Sequence, residues 1–265
     1  MKKWMFILAV GSSFLWGIGQ AEAVSNEAIH WGFKKGKNGQ QAEAGPELDE
    51  LLAKYDAFYK GTADKKVLYL TFDNGYENGY TAQVLDVLKK EKVPATFFVT
   101  GHYIRSAPDL LKRMVDEGHI VGNHTWSHPD LTKVTDEKFV KELKRVEEQV
   151  EKITGQDTMQ YIRPPRGIFS ERTLALAQKL GYTHVFWSVA FVDWQTNKQK
   201  GWKYAYDSIL AQVHPGAVIL LHTVSKDNAE ALERVIQELK KQGYQFKSLD
   251  HYMITHDMKY PMITP

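Results

Sequence analysis

The chain has 265 residues, 43% hydrophobic and 12% aromatic, with a formal net charge of +2 and no cysteine. That length and composition suffice for one sizeable core. The near-zero charge excludes the electrostatic footprint of a nucleic-acid-binding protein, and the missing thiols exclude disulfides, thiolate nucleophiles and cysteine metal sites.

Residues 1–23 read as an export leader. Lys2 and Lys3 form a basic start, Trp4 to Ile18 is almost wholly apolar, and Ala21-Glu22-Ala23 offers a small-x-small cleavage site. The alternative is an uncleaved membrane anchor, for which the apolar run is short. Residues 24–65 form an extension. Its first half is broken into loop by Gly32, Gly36, Gly39, Gly45 and Pro46, and Leu48, Leu51, Leu52, Tyr55, Phe58 and Tyr59 then recur at helical spacing. The expectation is a loop and one amphipathic helix packed on the main domain, with a flexible arm as the alternative.

From residue 66 to residue 265 the pattern alternates. Strands are expected at 67–72, 95–100, 119–123, 160–163, 184–189, 217–222 and near 244–248. Helices are expected around 79–92, 107–117, 136–154, 170–180, 204–213 and 227–241. Regular strand–helix alternation fits an α/β fold with a parallel (β/α) barrel, complete or incomplete. A doubly wound open sheet is the alternative, because periodicity does not show closure.

Reactive side chains stand where these strands end: Asp73, His124, Arg163 and His222, with Asp193 just past another strand. That is where a barrel carries its active site. His124-Thr-Trp-Ser-His128 places two imidazoles four residues apart, on one face if the stretch turns helically, at a spacing one divalent cation can use. A third ligand is then needed, and Asp73 and Asn74 are the carboxylate and amide on offer. Position 125 is Thr, so the His-Glu-x-x-His zincin motif is absent and the base must come from elsewhere.

Asp73 is the best candidate base, although Asp-Asn-Gly is also a strong turn signal. Arg163 is placed to hold Asp73 ionised, or to form an ordinary structural ion pair. Pro164 and Pro165 remove two backbone donors, so the next N–H, that of Arg166, suits an oxyanion. Asp193 can pair with His222 and raise its pKa, keeping it protonated as an acid. Trp194, Trp187, Trp126 and Tyr103 read mainly as core, with one or two of them lining a sugar groove.

Five ordered segments now stand together: Thr71-Phe-Asp73-Asn74-Gly75, His124-Thr-Trp-Ser-His128, Arg163-Pro-Pro-Arg166-Gly, Asp193-Trp194 and Leu220-Leu-His222. The chain resembles the polysaccharide deacetylases of the NodB-homology type, carbohydrate esterase family 4, over roughly residues 66–250. The resemblance implies a distorted (β/α) barrel and metal-assisted hydrolysis of the acetamido group of an N-acetyl amino sugar. It implies Asp73 as the base, His124 and His128 as metal ligands, and His222 as the acid tuned by Asp193. Arg163 would orient Asp73, the Arg166 N–H would meet the oxyanion, and Leu220 would line the acetyl pocket.

Asn74 stands where the family usually has a second Asp. An uncharged amide implies a divalent cation, zinc or another, that is weakly held. Tyr76-Glu-Asn-Gly-Tyr80, the Trp31-Gly-Phe-Lys-Lys-Gly region and Asp193-Trp194-Gln-Thr-Asn further resemble the spore-cortex peptidoglycan deacetylases of endospore formers, which act on N-acetylmuramic acid on the way to muramic δ-lactam. Arg166 would then pair with the lactyl carboxylate. The resulting expectation is an exported monomer acting on peptidoglycan strands in the cell wall or spore cortex, with no nucleic-acid or protein partner. The alternatives are a deacetylase of N-acetylglucosamine in peptidoglycan or chitin oligomers, and a non-catalytic glycan-binding protein with a crippled metal site.

Overall fold

The computed structural model describes residues 24–259, so the leader reading of residues 1–23 lies outside the described residues. In chain order the elements are β1 (Ile29–His30), α1 (Pro46–Lys54), β2 (Val67–Asn74), α2 (Thr81–Glu91), β3 (Ala95–Val99), α3 (Gly101–Ser106), α4 (Pro108–Asp116), β4 (Ile120–Asn123) and α5 (Asp136–Thr154). They continue with β5 (Tyr161–Ile162), β6 (Ile168–Phe169), α6 (Glu171–Lys179), β7 (Thr183–His184), α7 (Trp202–Leu210), β8 (Val218–His222), α8 (Lys226–Lys241), β9 (Gln245–Phe246) and α9 (Leu249–Lys259). Among the described residues no helix is long and apolar enough to cross a membrane.

The main sheet runs β7-β5-β4-β3-β2-β8, with β9 also on β2, and every pairing in it is parallel. The strand order follows the chain without reversal from β2 to β7, which is the order of a barrel wall and not of a doubly wound sheet. Past β7 the chain continues to Val189, which bridges Ile219 of β8, and the Ser188 amide donates to the Val218 carbonyl at 2.9 Å. The two edges of the sheet are thus drawn together across residues 185–189. The result is a curled, incomplete (β/α) barrel.

Alternation along β2 shows how the barrel positions its chemistry. Leu68, Leu70 and Phe72 join the large cluster under the surrounding helices, while Tyr69 joins Phe98, Tyr161, Val185 and Val218 in the barrel interior. Successive strand side chains point to opposite faces, so Asp73 continues the interior row that begins at Tyr69. Tyr252 of α9 stacks on Phe58 with ring centroids 3.9 Å apart and meets Tyr69 edge-on at 5.7 Å, closing the far end of the barrel. The titratable groups are therefore concentrated at the opposite, C-terminal end of the strands.

The extension packs against this body. β1 pairs with β6, Phe58 bridges Val185 and Lys60 bridges Ala217. Leu52, Tyr55 and Tyr59 share a buried cluster with Phe169, Leu174 and Phe186.

Several element boundaries differ from the periodicity. The helix expected at 107–117 is preceded by a separate one, α3, capped by Thr100, whose hydroxyl accepts from the Tyr103 amide at 3.3 Å. Pro108 then restarts the chain as the first residue of α4. The strand expected at 184–189 pairs regularly over two residues only. Helix α9 was not expected at all, because its apolar residues follow no helical period.

Candidate active site

Four parallel strand ends bring the reactive groups to one rim. Asp73 on β2 is the register partner of His222 on β8. His124 follows β4, with its amide donating to the Val99 carbonyl, and Arg163 follows β5, with its amide donating to the Asn123 carbonyl, both at 3.0 Å. The cavity they share, about 890 Å³, is lined by Asp73, His124, His128, Arg166, Leu220 and His222, together with Trp187 and Trp194.

Arg163 is wholly buried beneath this cavity. One Nη donates to Asp73 Oδ1 at 2.9 Å, Nε donates to the Val185 carbonyl at 2.9 Å, and the other Nη donates to the Phe186 carbonyl at 3.3 Å. Its guanidinium carbon also lies 4.3 Å from the Phe98 ring centre. Burial alone would raise the Asp73 pKa, but the positive charge of Arg163, with His124 and His222 behind it, holds it below the usual carboxylate range. Asp73 is therefore ionised, with Oδ1 committed to Arg163 and Oδ2 3.6 Å from His124 Nε2.

His124 Nδ1 lies 2.8 Å from the Arg163 carbonyl oxygen. A carbonyl only accepts, so Nδ1 carries the proton and Nε2 keeps its lone pair. Burial pushes both His124 and His128 below the ordinary imidazole pKa, so both rings are neutral at neutral pH. The expected helical turn is corrected here. Residues 124–128 form an irregular turn in which Thr125 (φ 65°) and His128 (φ 56°) are left-handed.

Asn123 and Glu142 hold that turn. The Thr125 amide donates to Asn123 Oδ1 at 2.9 Å, and the His128 amide donates to Thr125 Oγ1 at 3.1 Å. Buried Glu142 of α5 accepts from the Ser127 amide and hydroxyl, each at 2.7 Å. The turn thereby brings the two imidazole centroids to 4.8 Å. Non-glycine residues in this region store strain, which the surrounding bonds sustain.

Across the cavity, His222 Nδ1 donates to Asp193 Oδ1 at 2.8 Å, leaving Nε2 as the other ring position. Asp193 Oδ2 accepts from the His222 amide at 2.8 Å. Burial would lower the His222 pKa, but the charge and hydrogen bond of Asp193 outweigh it, and the net shift is upward. Trp194 is 49% exposed, with its ring centre 5.5 Å from that of His222.

Arg166 sits at a left-handed position (φ 60°) between Pro165 and Gly167, with its side chain exposed to the cavity. No carboxylate pairs with it among the described residues. Asn74 is fully buried and does not line the cavity. Its Nδ2 donates to Thr223 Oγ1 at 2.7 Å, while its Oδ1 is buried with no hydrogen-bond partner.

The sequence reading missed several lining residues. Tyr76, His102, Arg105 and Ser127 all face the cavity. Of the four aromatics expected mainly in the core, three, Trp126, Trp187 and Trp194, line it, and only Tyr103 is core. Trp31, far off in sequence, buttresses the site: its amide donates to the Gly167 carbonyl at 2.8 Å and its indole N–H to the Trp187 carbonyl at 3.1 Å.

A curled barrel with carboxylates and imidazoles gathered at its strand ends fits a polysaccharide deacetylase, and the chain belongs to that family, whose model matches residues 60–185. The peptidoglycan-N-acetylmuramic acid deacetylase PdaA of Bacillus subtilis is 57% identical over 262 residues, covering 98% of this chain and 100% of the relative. Its solved structure, that of a family 4 carbohydrate esterase, has a TM-score of 0.87 at 60% identity, covering 88% of this chain and 100% of that one. A peptidoglycan-N-acetylglucosamine deacetylase of Bacillus cereus is 35% identical over 200 residues, covering 74% of this chain and 71% of the relative.

Proposed function

We propose that the protein is an exported hydrolase that removes the acetyl group of N-acetylmuramic acid residues in peptidoglycan, in the route to muramic δ-lactam of the spore cortex. The observation that carries the reading is the placement of Asp73 and His222 as register partners on one cavity, each held by its own buried counter-charge. An amide resists attack by neutral water, so hydrolysis needs a base on the water side and an acid on the nitrogen side.

Asp73, ionised by Arg163, takes the proton of the attacking water through Oδ2. Carbon–oxygen bond formation places negative charge on the former carbonyl oxygen, and the Arg166 backbone N–H is the donor assigned to it. His222 then gives its Nε2 proton to the leaving amine as the C–N bond breaks. Asp193 holds that ring by Nδ1, and Leu220 with Trp194 bounds the space for the acetyl group and sugar.

Enzymes of this family are metal-dependent. The residues here fit a cation held loosely: two neutral imidazoles offer lone pairs, Asn74 Oδ1 is an uncommitted buried acceptor, and no second carboxylate joins them. Among the described residues no group of three or more His, Asp or Glu gathers as a cation cage. His124 and His128 would hold the ion, and Asn74, whose side chain bonds Thr223 and does not line the cavity, would have to turn to join them. When bound, it supplies polarisation of the acetyl oxygen and acidification of water.

Arg166 supports the choice of sugar. An unpaired guanidinium at the cavity wall suits the lactyl carboxylate that muramic acid carries and glucosamine lacks. The likeness to PdaA points the same way. The Bacillus cereus relative favours a second reading, deacetylation of N-acetylglucosamine. Comparing Arg166→Ala with the unsubstituted protein on peptide-free glycan strands tests the choice. Loss of acetate release from muramoyl residues supports the proposal, and unchanged turnover contradicts it.

A further inference from the structure

The structure assigns Asn228 as a positioning residue that fixes Asp193, and through it the acid His222. The inference rests on the reading of His222 as the group that protonates the leaving amine.

Asn228 lies in the first turn of α8 and is buried. Its Nδ2 donates to Asp193 Oδ2 at 2.5 Å and to the His222 carbonyl at 3.2 Å. One amide group thus ties both members of the acid pair to the helix start. Oδ2 of Asp193 receives two donors, Asn228 Nδ2 and the His222 amide, while Oδ1 is left for the imidazole. With both oxygens committed, the carboxylate plane cannot rotate away from the ring.

Asn228 Oδ1 is buried with no hydrogen-bond partner. A buried unsatisfied acceptor is destabilising. A residue kept only for packing has no reason to carry that cost, since an apolar side chain would avoid it. The donor end explains the amide: Asp at this position would set a second carboxylate against Asp193.

The same helix turn grips the loop that carries Asp193. Gln199 Oε1 accepts from the Ser225 hydroxyl at 2.8 Å and the Asp227 amide at 3.1 Å, while its Nε2 donates to the Asp193 carbonyl at 3.0 Å. Asp227 Oδ2 accepts from the amides of Lys200 and Gly201 at 2.6 and 2.8 Å. Loop and helix are locked, so Asn228 acts from a fixed base on a fixed partner.

The test uses two classes of acyl substrate. An N-acetyl sugar leaves as an amine and needs the proton of His222, whereas an activated aryl acetate leaves as a phenolate and does not. Asn228→Ala is expected to lower kcat on muramoyl glycan, or on N-acetylglucosamine oligomers if the unsubstituted protein takes those instead, by roughly 10–100-fold with little change in KM, and to spare the aryl acetate. In a His222→Ala background it should cause no further loss on the amides. Asn228→Leu keeps a similar shape and removes the donor without adding a charge, so it gives the same comparison if the alanine variant unfolds.

Equal losses on amide and ester, or a full additional loss in the His222→Ala background, would overturn the assignment. Unsubstituted protein that deacetylates glucosamine oligomers but not muramoyl glycan would overturn the proposed substrate and leave the role of Asn228 standing.

Discussion

Asp73 and His222 face each other as register partners on β2 and β8, yet they hold opposite charge preferences. Arg163 keeps the carboxylate ionised and Asp193 favours the protonated imidazole. A carboxylate and a protonated imidazole are thereby favoured side by side, which is the arrangement the proposed amide hydrolysis requires.

The Asp73–Arg163 pair makes a prediction about stability as well as rate. Asp73→Asn should lower kcat by roughly 10²–10⁴-fold, the usual worth of general base help. Because it leaves the Arg163 guanidinium buried and unpaired, it should also cost about 3–5 kcal/mol of folding stability. Urea unfolding of the variant checks the second figure. A variant that is inactive but as stable as the unsubstituted chain would mean that the pair contributes nothing to the fold.

The Asp193–His222 pair predicts a pH profile. The His222 pKa is raised in the folded protein, so its contribution to stability is complete below the ordinary imidazole value and fades as pH rises through the raised one. The alkaline limb of kcat should report the same deprotonation. Asp193→Asn removes the largest raising charge and leaves burial and Arg163 opposed only by Asp73. The limb should then move to lower pH, with activity at neutral pH falling steeply. A limb that stays in place would remove His222 from the acid role.

His184 gives an acid-side test remote from the cavity. It is buried, its Nε2 has no hydrogen-bond partner, and burial pushes its pKa down to about 3. A lowered histidine stabilises above its unfolded pKa and loses that contribution as pH falls towards its folded pKa. Between pH 7 and pH 4 this one ring should cost roughly 3 kcal/mol, from the linkage of about 1.36 kcal/mol per pKa unit. His184→Leu should flatten the dependence of unfolding free energy on pH in that window. An unchanged slope would place the acid sensitivity in other groups.

Much of the site was legible because parallel strands deliver their last residues to one rim, and Asp73, His124, Arg163 and His222 each end or follow an apolar run. The turn at His124–His128 was misread as helical because its shape comes from Glu142, a side chain of the next helix, and not from local periodicity. Trp31 was noticed only as part of a motif region, since its contacts with Gly167 and Trp187 span most of the chain. Helix α9 is not legible because it closes the barrel end opposite the cavity through Leu249 and Tyr252 and carries no amphipathic stripe.

Asn74 carries a prediction about cation affinity. Its buried Oδ1 lacks a partner, and Asn74→Asp would add a charge to the donor set while Thr223 could donate to the new carboxylate. Affinity for divalent cations rises with the charge of the ligand set. Calorimetric titration with Zn²⁺ should show binding tightened at least about tenfold (roughly 1.4 kcal/mol) in the variant. Equal affinity in both proteins would take Asn74 out of the cation site.

The most direct measurement is mass spectrometry of peptide-free glycan strands digested after incubation with the protein and a divalent cation. The expected result is a mass loss of one acetyl group on muramic acid residues, with glucosamine residues intact, and no such change with Asp73→Asn. Acetyl loss confined to glucosamine, or none on either sugar with the cation present, would contradict it.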